Sequence, residues 1–258
     1  MKKYIPVLLL LLPLASCQEK VEPAPEKSIA FVSIHPFGTK AQIGTNTLPT
    51  WSEGDKISIV GDDADNPSEF TLRSGAGYSV ASFEGVKPEG ETWIVCCPSD
   101  ARCDGETFRA SISTVVSHAV PDQPLGILPM WGQTKDLSSV SLGSPCGILK
   151  LELKGSTKLK SITLDAGKPI SGEFLYNITA DLFAMIGGAN IITMDASGTE
   201  LIPTRAVPFY FILPPGEYDE LVVNITDSTD AATYITVDDT VVIEPGVFST
   251  VSFDLNAI

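Results

Sequence analysis

Along most of this chain apolar and polar residues alternate one for one. Leu149, Leu151 and Leu153 are separated by Lys150, Glu152 and Lys154. Successive side chains of an extended strand point to opposite faces, so this pattern sets one face on a core and the other in water. The same period recurs at Ile57 and Ile59, at Trp93 and Val95, at Leu221, Val223 and Ile225, and at Val251, Phe253 and Leu255. Turn signals lie between them, among them Glu53-Gly54-Asp55, Pro88-Glu89-Gly90, Asp195-Ala196-Ser197-Gly198 and Pro214-Pro215-Gly216. Short alternating runs with regular punctuation predict an all-β protein built of sandwiches. The best helical candidate, Ile178 to Ile186, is a short mixed run ending at Gly187-Gly188 and reads equally well as strand. Val120 to Val140, bearing several prolines and glycines, reads as a long irregular connection, with a domain boundary near Gly143 to Cys146.

The first residues break this pattern. Lys2 and Lys3 precede an apolar run from Ile5 to Leu14, the order of a secretory signal, and that run is too short to span a bilayer. Leu14-Ala15-Ser16-Cys17 resembles a bacterial lipobox, which implies cleavage before Cys17 and acylation of its thiol. Residues 17–27 carry charge and proline without periodicity and read as a tether. The expected organisation is therefore a signal at 1–16, a tether at 17–27, and β-domains at 28–143 and 144–258.

Charge narrows the partners. With 17 Lys and Arg against 32 Asp and Glu the formal net charge is -15, and nucleic acid, which needs a basic face to displace counterions, is not an expected partner. No metal or cofactor is expected: Asp62-Asp63-Ala64-Asp65-Asn66 is followed by Pro67 and lacks the closing glutamate of a calcium loop. Cys97 and Cys103 flank the turn-rich Pro98 to Arg102 and are candidates for a disulfide, with Cys96 on the other side of the strand; burial without pairing is the alternative.

Catalytic signals are missing. The chain has two histidines, His35 and His118, and no Gly-x-Ser-x-Gly elbow, His-Glu-x-x-His or phosphate-binding glycine loop. A carboxylate pair for glycoside hydrolysis has no residues to name. Glycan binding on an exposed aromatic face is the better rival: Trp51 and Trp93 fall in strand patterns, leaving Trp131 on the irregular connection as the candidate.

Several landmarks fall in the order of one family. Pro49-Thr50-Trp51-Ser52-Glu53-Gly54-Asp55-Lys56-Ile57 resembles the tryptophan, Gly-Asp and strand start of bacterial fimbrillin-like proteins, subunits of type V pili. Ala81 to Gly85 with Trp93 to Pro98 is similar to the strand pair that follows, Val207 to Tyr218 to the family's strand and Pro-Gly turn, and Gly246 to Leu255 to its closing strand. The resemblance implies two transthyretin-like β-sandwich domains in tandem and a lipoprotein held in the outer membrane or on the cell surface. It implies assembly with other pilin subunits, or with itself, by strand exchange after proteolytic removal of a first strand, and contact with a host surface or glycan. Ser28 to Ile34, with Ile29 and Phe31 on one face and Val32 and Ile34 on the other, is then the removable strand, and Val247 to Leu255, with Val251, Phe253 and Leu255, is part of the donor. The family's cut follows an arginine, whereas Thr39-Lys40-Ala41 stands at the matching place here, so processing between Lys40 and Ala41 calls for a lysine-specific protease.

Overall fold

The computed structural model describes residues 27–34, 38–39, 50–62, 66–118 and 128–257, so Cys17, Lys40 and Ala41 lie outside the described residues. Within them the chain forms strands and no helix. The first six strands are β1 (Lys27–Ile34), β2 (Gly38–Thr39), β3 (Lys56–Gly61), β4 (Ser68–Ser74), β5 (Val80–Val86) and β6 (Trp93–Cys97). Then come β7 (Arg102–Cys103), β8 (Thr107–Ile112), β9 (Val115–Ser117), β10 (Met130–Thr134) and β11 (Val140–Leu142). The rest are β12 (Gly147–Lys154), β13 (Leu159–Asp165), β14 (Gly172–Asn177), β15 (Leu182–Met185), β16 (Ile191–Asp195) and β17 (Val207–Leu213), followed by β18 (Gly216–Tyr218), β19 (Val222–Asp227), β20 (Ala232–Thr236), β21 (Val241–Ile243) and β22 (Val247–Asp254).

The first body is a seven-stranded sheet in the order β10-β6-β3-β4-β5-β1-β11. Its two ends meet, because Trp131 and Gly143 exchange backbone hydrogen bonds of 3.0 and 2.9 Å. The sheet thus closes on itself and leaves no long edge for other chains to pair with. Gly132 permits the closure, since a Cβ there would stand 2.2 Å from the Ser141 carbonyl oxygen. Ala30, Val32, Ile57, Ile59, Phe70, Phe83, Val95 and Leu142 fill the interior.

The second body combines a four-stranded sheet, β17-β12-β22-β2, with a five-stranded one, β20-β19-β13-β16-β9, a four-stranded one, β15-β14-β8-β7, and the pair β18-β21. Leu149, Leu151 and Leu153, each 0% exposed, enter its core with Phe209, Phe211, Ile162, Val223 and Phe174, while Lys150, Glu152 and Lys154 face the other way. That other face is covered at one end: Ile148 and Tyr210 belong to the first body's core, with Phe248 against it. One sheet therefore serves two cores.

Two features depart from the pattern reading. The stretch read as an irregular connection contains β10, whose alternation is hidden because an inward position holds Gly132 rather than a large side chain. And β7 to β9, in the sequence before the expected boundary, join the second body: β8 pairs with β14 from Gly172↔Ile112 to Asn177↔Thr107, and β9 runs parallel to β16. Phe108, Ala110 and Ile112 are buried in the second core. Local alternation reveals a strand but not its partner, so this crossover is invisible in sequence.

Candidate functional site

The first strand occupies a slot. β1 pairs antiparallel with β5 from Lys27↔Val86 to Ser33↔Val80 and parallel with β11 at Val32↔Val140, Ser33↔Ser141 and Ile34↔Leu142. The Ser33 hydroxyl donates to the Val140 carbonyl at 3.0 Å and the Phe31 amide to the Leu137 carbonyl at 2.8 Å. Ala30, Val32 and Ile34 point inward at 0%, 0% and 7% exposure. Burying a valine and an isoleucine is worth about 3–6 kcal/mol together. Without β1, the facing edges of β5 and β11 would present unpaired N–H and C=O groups beside an apolar trench.

Ile29 and Phe31, the face expected to carry the exchange, instead point outward and are 39% and 50% exposed. Both parities of β1 are apolar, so alternation could not choose between them; the inward set extends through Ile34, whereas the outward set ends at Ser33. Outside, Val80 and Val86 of β5 are also exposed, at 57% and 39%.

The same N-terminal segment touches the second body. β2 runs parallel to the start of β22 at Gly38↔Val247 and Thr39↔Phe248. β22 in turn lies parallel to β12 from Ile148↔Phe248 to Lys154↔Asp254. Among the described residues no strand covers the outer edge of β22 from Ser249 to Asp254. Val251, Phe253 and Leu255, the expected donor residues, are half-buried against the second core. Val251 and Phe253 are integral to β22 and Leu255 follows it, its amide donating to the Lys154 carbonyl at 2.9 Å, and their leaving would uncover the leucines of β12.

The residues that carry the resemblance are structural fastenings. Trp51 is buried edge-on to Phe83, with ring centroids 4.9 Å apart, and exchanges backbone bonds with Tyr78 and Gly77. Gly54, at φ +86, lets the turn after it close so that Asp55 accepts from the Ser52 amide at 2.7 Å. Burial pushes the Asp55 carboxyl above its ordinary range, an effect this amide partly offsets. At the Pro-Pro-Gly turn the buried Tyr218 hydroxyl donates to the Pro214 carbonyl at 2.7 Å, and Lys168 stands 4.0 Å over its ring. Trp93 is tied by its indole N–H to the Pro88 carbonyl at 3.1 Å.

Trp131 is half-buried in β10, its ring 6.3 Å from that of Tyr176, so it fills the junction of the two bodies rather than offering an open platform. His118 tilts against Phe209 at 4.6 Å, and burial lowers its pKa. The Asp62 carboxylate accepts from the amides of Glu91 and Thr92, and among the described residues no group of three or more His, Cys, Asp or Glu is placed to hold a metal. Cys97 lies in the first core while Cys103 packs against the second, so the disulfide expected between them is not the pairing that the fold brings together: the neighbour of Cys103 is Cys96, on the opposite face of β6. All four described cysteines are free thiols.

No family model and no curated protein matches the chain. Solved structures do. A Bacteroides fragilis protein assigned to cell adhesion aligns over 88% of this chain and 93% of its own, at 10% identity and a TM-score of 0.49. The tip fimbrial protein Mfa3 of Porphyromonas gingivalis, with a C-terminal truncation, aligns over 81% of this chain and 82% of its own, at 9% identity and a TM-score of 0.34. A Bacteroides ovatus protein assigned to cell adhesion aligns over 88% of this chain and 93% of its own, at 15% identity and a TM-score of 0.53, and it is the all-β fold of that structure that this chain shares.

Proposed function

We propose that this protein is a fimbrillin-like surface lipoprotein, held through Cys17, that works as a subunit, anchor or tip component of a fimbria, and that β1 is its replaceable strand. The observation that carries this is the seat of β1 between β5 and β11, just upstream of Thr39-Lys40-Ala41. The shared fold with the Bacteroides ovatus adhesion structure supports it, as do the landmark residues at Trp51 and Tyr218. Cut after Lys40, the chain would release β1 and β2 together, opening the trench between β5 and β11 and the start of the β22 edge. A strand from another subunit with three inward apolar residues at alternate positions would restore the ladder and refill the trench. Uncut, the same chain stays joined to its lipid as an anchor.

The test inserts a site-specific protease sequence between Lys40 and Ala41 and nicks the folded protein. A labelled peptide of residues 27–39 should then displace the native segment, and a peptide of residues 247–258 tests the chain's own last strand as donor. If the nicked, folded protein captures neither peptide, strand exchange at this seat is wrong. Mass spectrometry of the mature N-terminus on native cells separates the two roles, acylated Cys17 meaning anchor and Ala41 meaning polymerising subunit.

Glycan binding has one observation in its favour, and it is not at Trp131. The outer face of the five-stranded sheet carries the cross-strand row Tyr234, Asn224, Thr163 and Thr193. Tyr234 is 69% exposed there, the Thr163 and Thr193 hydroxyls lie 3.0 Å apart, and the row holds no cation. An exposed aromatic ring in line with threonine hydroxyls across the sheet suits a neutral saccharide. Loss of binding on a glycan array with Tyr234→Ala but not Trp131→Ala would support that reading; no binding by the wild type would end it.

A further inference from the structure

The last two residues of β6 point to opposite sides, Cys97 into the first core and Cys96, 1% exposed, into the second. Beyond them the chain turns, the Ala101 amide donating to the Pro98 carbonyl at 3.0 Å, and β7 returns beside β6. This return brings Cys103 beside Cys96: both belong to the cluster of the second core and both line one cleft, which Cys97 does not reach. Cys103 is half-buried and opens on a cleft of about 520 Å³ whose walls include Ser58, Cys96, Asp104, Arg109 and Leu175.

We propose that Cys96 and Cys103 are a disulfide-forming pair that staples the closed sheet of the first body to the second. β7 hydrogen-bonds to β8 and β8 to β14, so the bond would join β6 directly to a sheet of the other core. A loop this short removes less entropy from the unfolded chain than a long one would. Its consequence is local: the two bodies could not part at this seam.

The chemistry needs an oxidant, which is itself a disulfide, either that of an extracytoplasmic thiol oxidoreductase or glutathione disulfide. The accessible Cys103 thiol loses its proton and attacks one oxidant sulfur, forming a mixed disulfide and expelling one thiolate. Cys96 then loses its proton and attacks the Cys103 sulfur, forming the internal bond and expelling the second thiolate. Two electrons and two protons pass to the oxidant, which leaves as two thiols. The division of labour follows the surroundings: the neighbouring Cys96 thiol lowers the Cys103 pKa, while that contact and burial raise Cys96.

The experiment treats the full chain with oxidised glutathione, alkylates free thiols and digests with trypsin without reduction. Cleavage after Arg73, Arg102 and Arg109 leaves Cys96 and Cys97 on one peptide and Cys103 on the next. The expected result is a linked pair, lighter by two hydrogens than the sum of its parts, in the wild type and in Cys97→Ser, and no link in Cys96→Ser or Cys103→Ser. Cys103→Ser alters a half-exposed side chain, so an unchanged circular dichroism spectrum separates loss of the bond from misfolding. No link in the wild type, a link that survives Cys96→Ser but not Cys97→Ser, or a link only between two molecules would each overturn the proposal.

Discussion

Val32 stands beside Val140 in parallel register, both at 2% exposure or less, although one belongs to the first described strand and the other to the strand that closes the sheet. This contact makes the N-terminal segment part of the first core rather than an appendage to it. The parity of that segment is directly testable. Ile34→Ala should cost about 2–4 kcal/mol in denaturant unfolding, as for a buried isoleucine. Phe31→Ala, at a half-exposed outward position, should cost under about 1 kcal/mol. Equal losses would mean that the strand is turned the other way.

Trp51 fills one end of the closed sheet, and its indole N–H is buried with no hydrogen-bond partner. Trp51→Ala should therefore destabilise by about 3–5 kcal/mol. Trp51→Phe keeps much of the ring and removes the unsatisfied donor, so it should cost under about 1.5 kcal/mol. Chemical denaturation of the three proteins reads the difference.

Closure of the sheet depends on the absence of a side chain at residue 132. Gly132→Ala should push β10 from Ser141 and cost about 1–3 kcal/mol. Amide exchange should rise first at Trp131 and Gly143, whose reciprocal hydrogen bonds seal the closure.

Asp55 gives a pH signature. Its carboxyl is raised in the folded state by burial, so the fold binds that proton more tightly than the unfolded chain does. Such a group favours folding below its unfolded pKa, and that contribution is lost as pH rises through the folded value. Asp55→Asn keeps an acceptor for the Ser52 amide without the charge. It should be more stable than the wild type at neutral pH, and the gap should shrink as pH falls through the carboxylate range. Thermal unfolding of both proteins across that range measures it, and a gap that widens toward acid would contradict the assignment.

The alternation of Leu149, Leu151 and Leu153 was legible because one face of β12 is charged from Lys150 to Lys154 and the other is apolar. At β1 it was not, because both faces are apolar and Ile29 competes with Ala30; at β6 it set Cys96 and Cys97 on opposite faces but did not show that each face has a core of its own. Trp131 looked like an exposed loop residue because Gly132 interrupts the apolar period beside it. The landmark at Trp51 to Asp55 could be seen as a turn, but not that it plugs the end of a closed sheet.

By itself the sequence determined the all-β class, the turns, and the face of each strand with one wet side, since these depend on side chains one or two positions apart. Only the tertiary structure decided which strands pair. It seated β1 between β5 and β11, carried β8 and β9 across to the second core, and set Cys103 against Cys96 rather than Cys97. The physical reason is that backbone hydrogen bonds between strands are the same for every residue, so partner choice rests on the fit of side chains far apart in the chain.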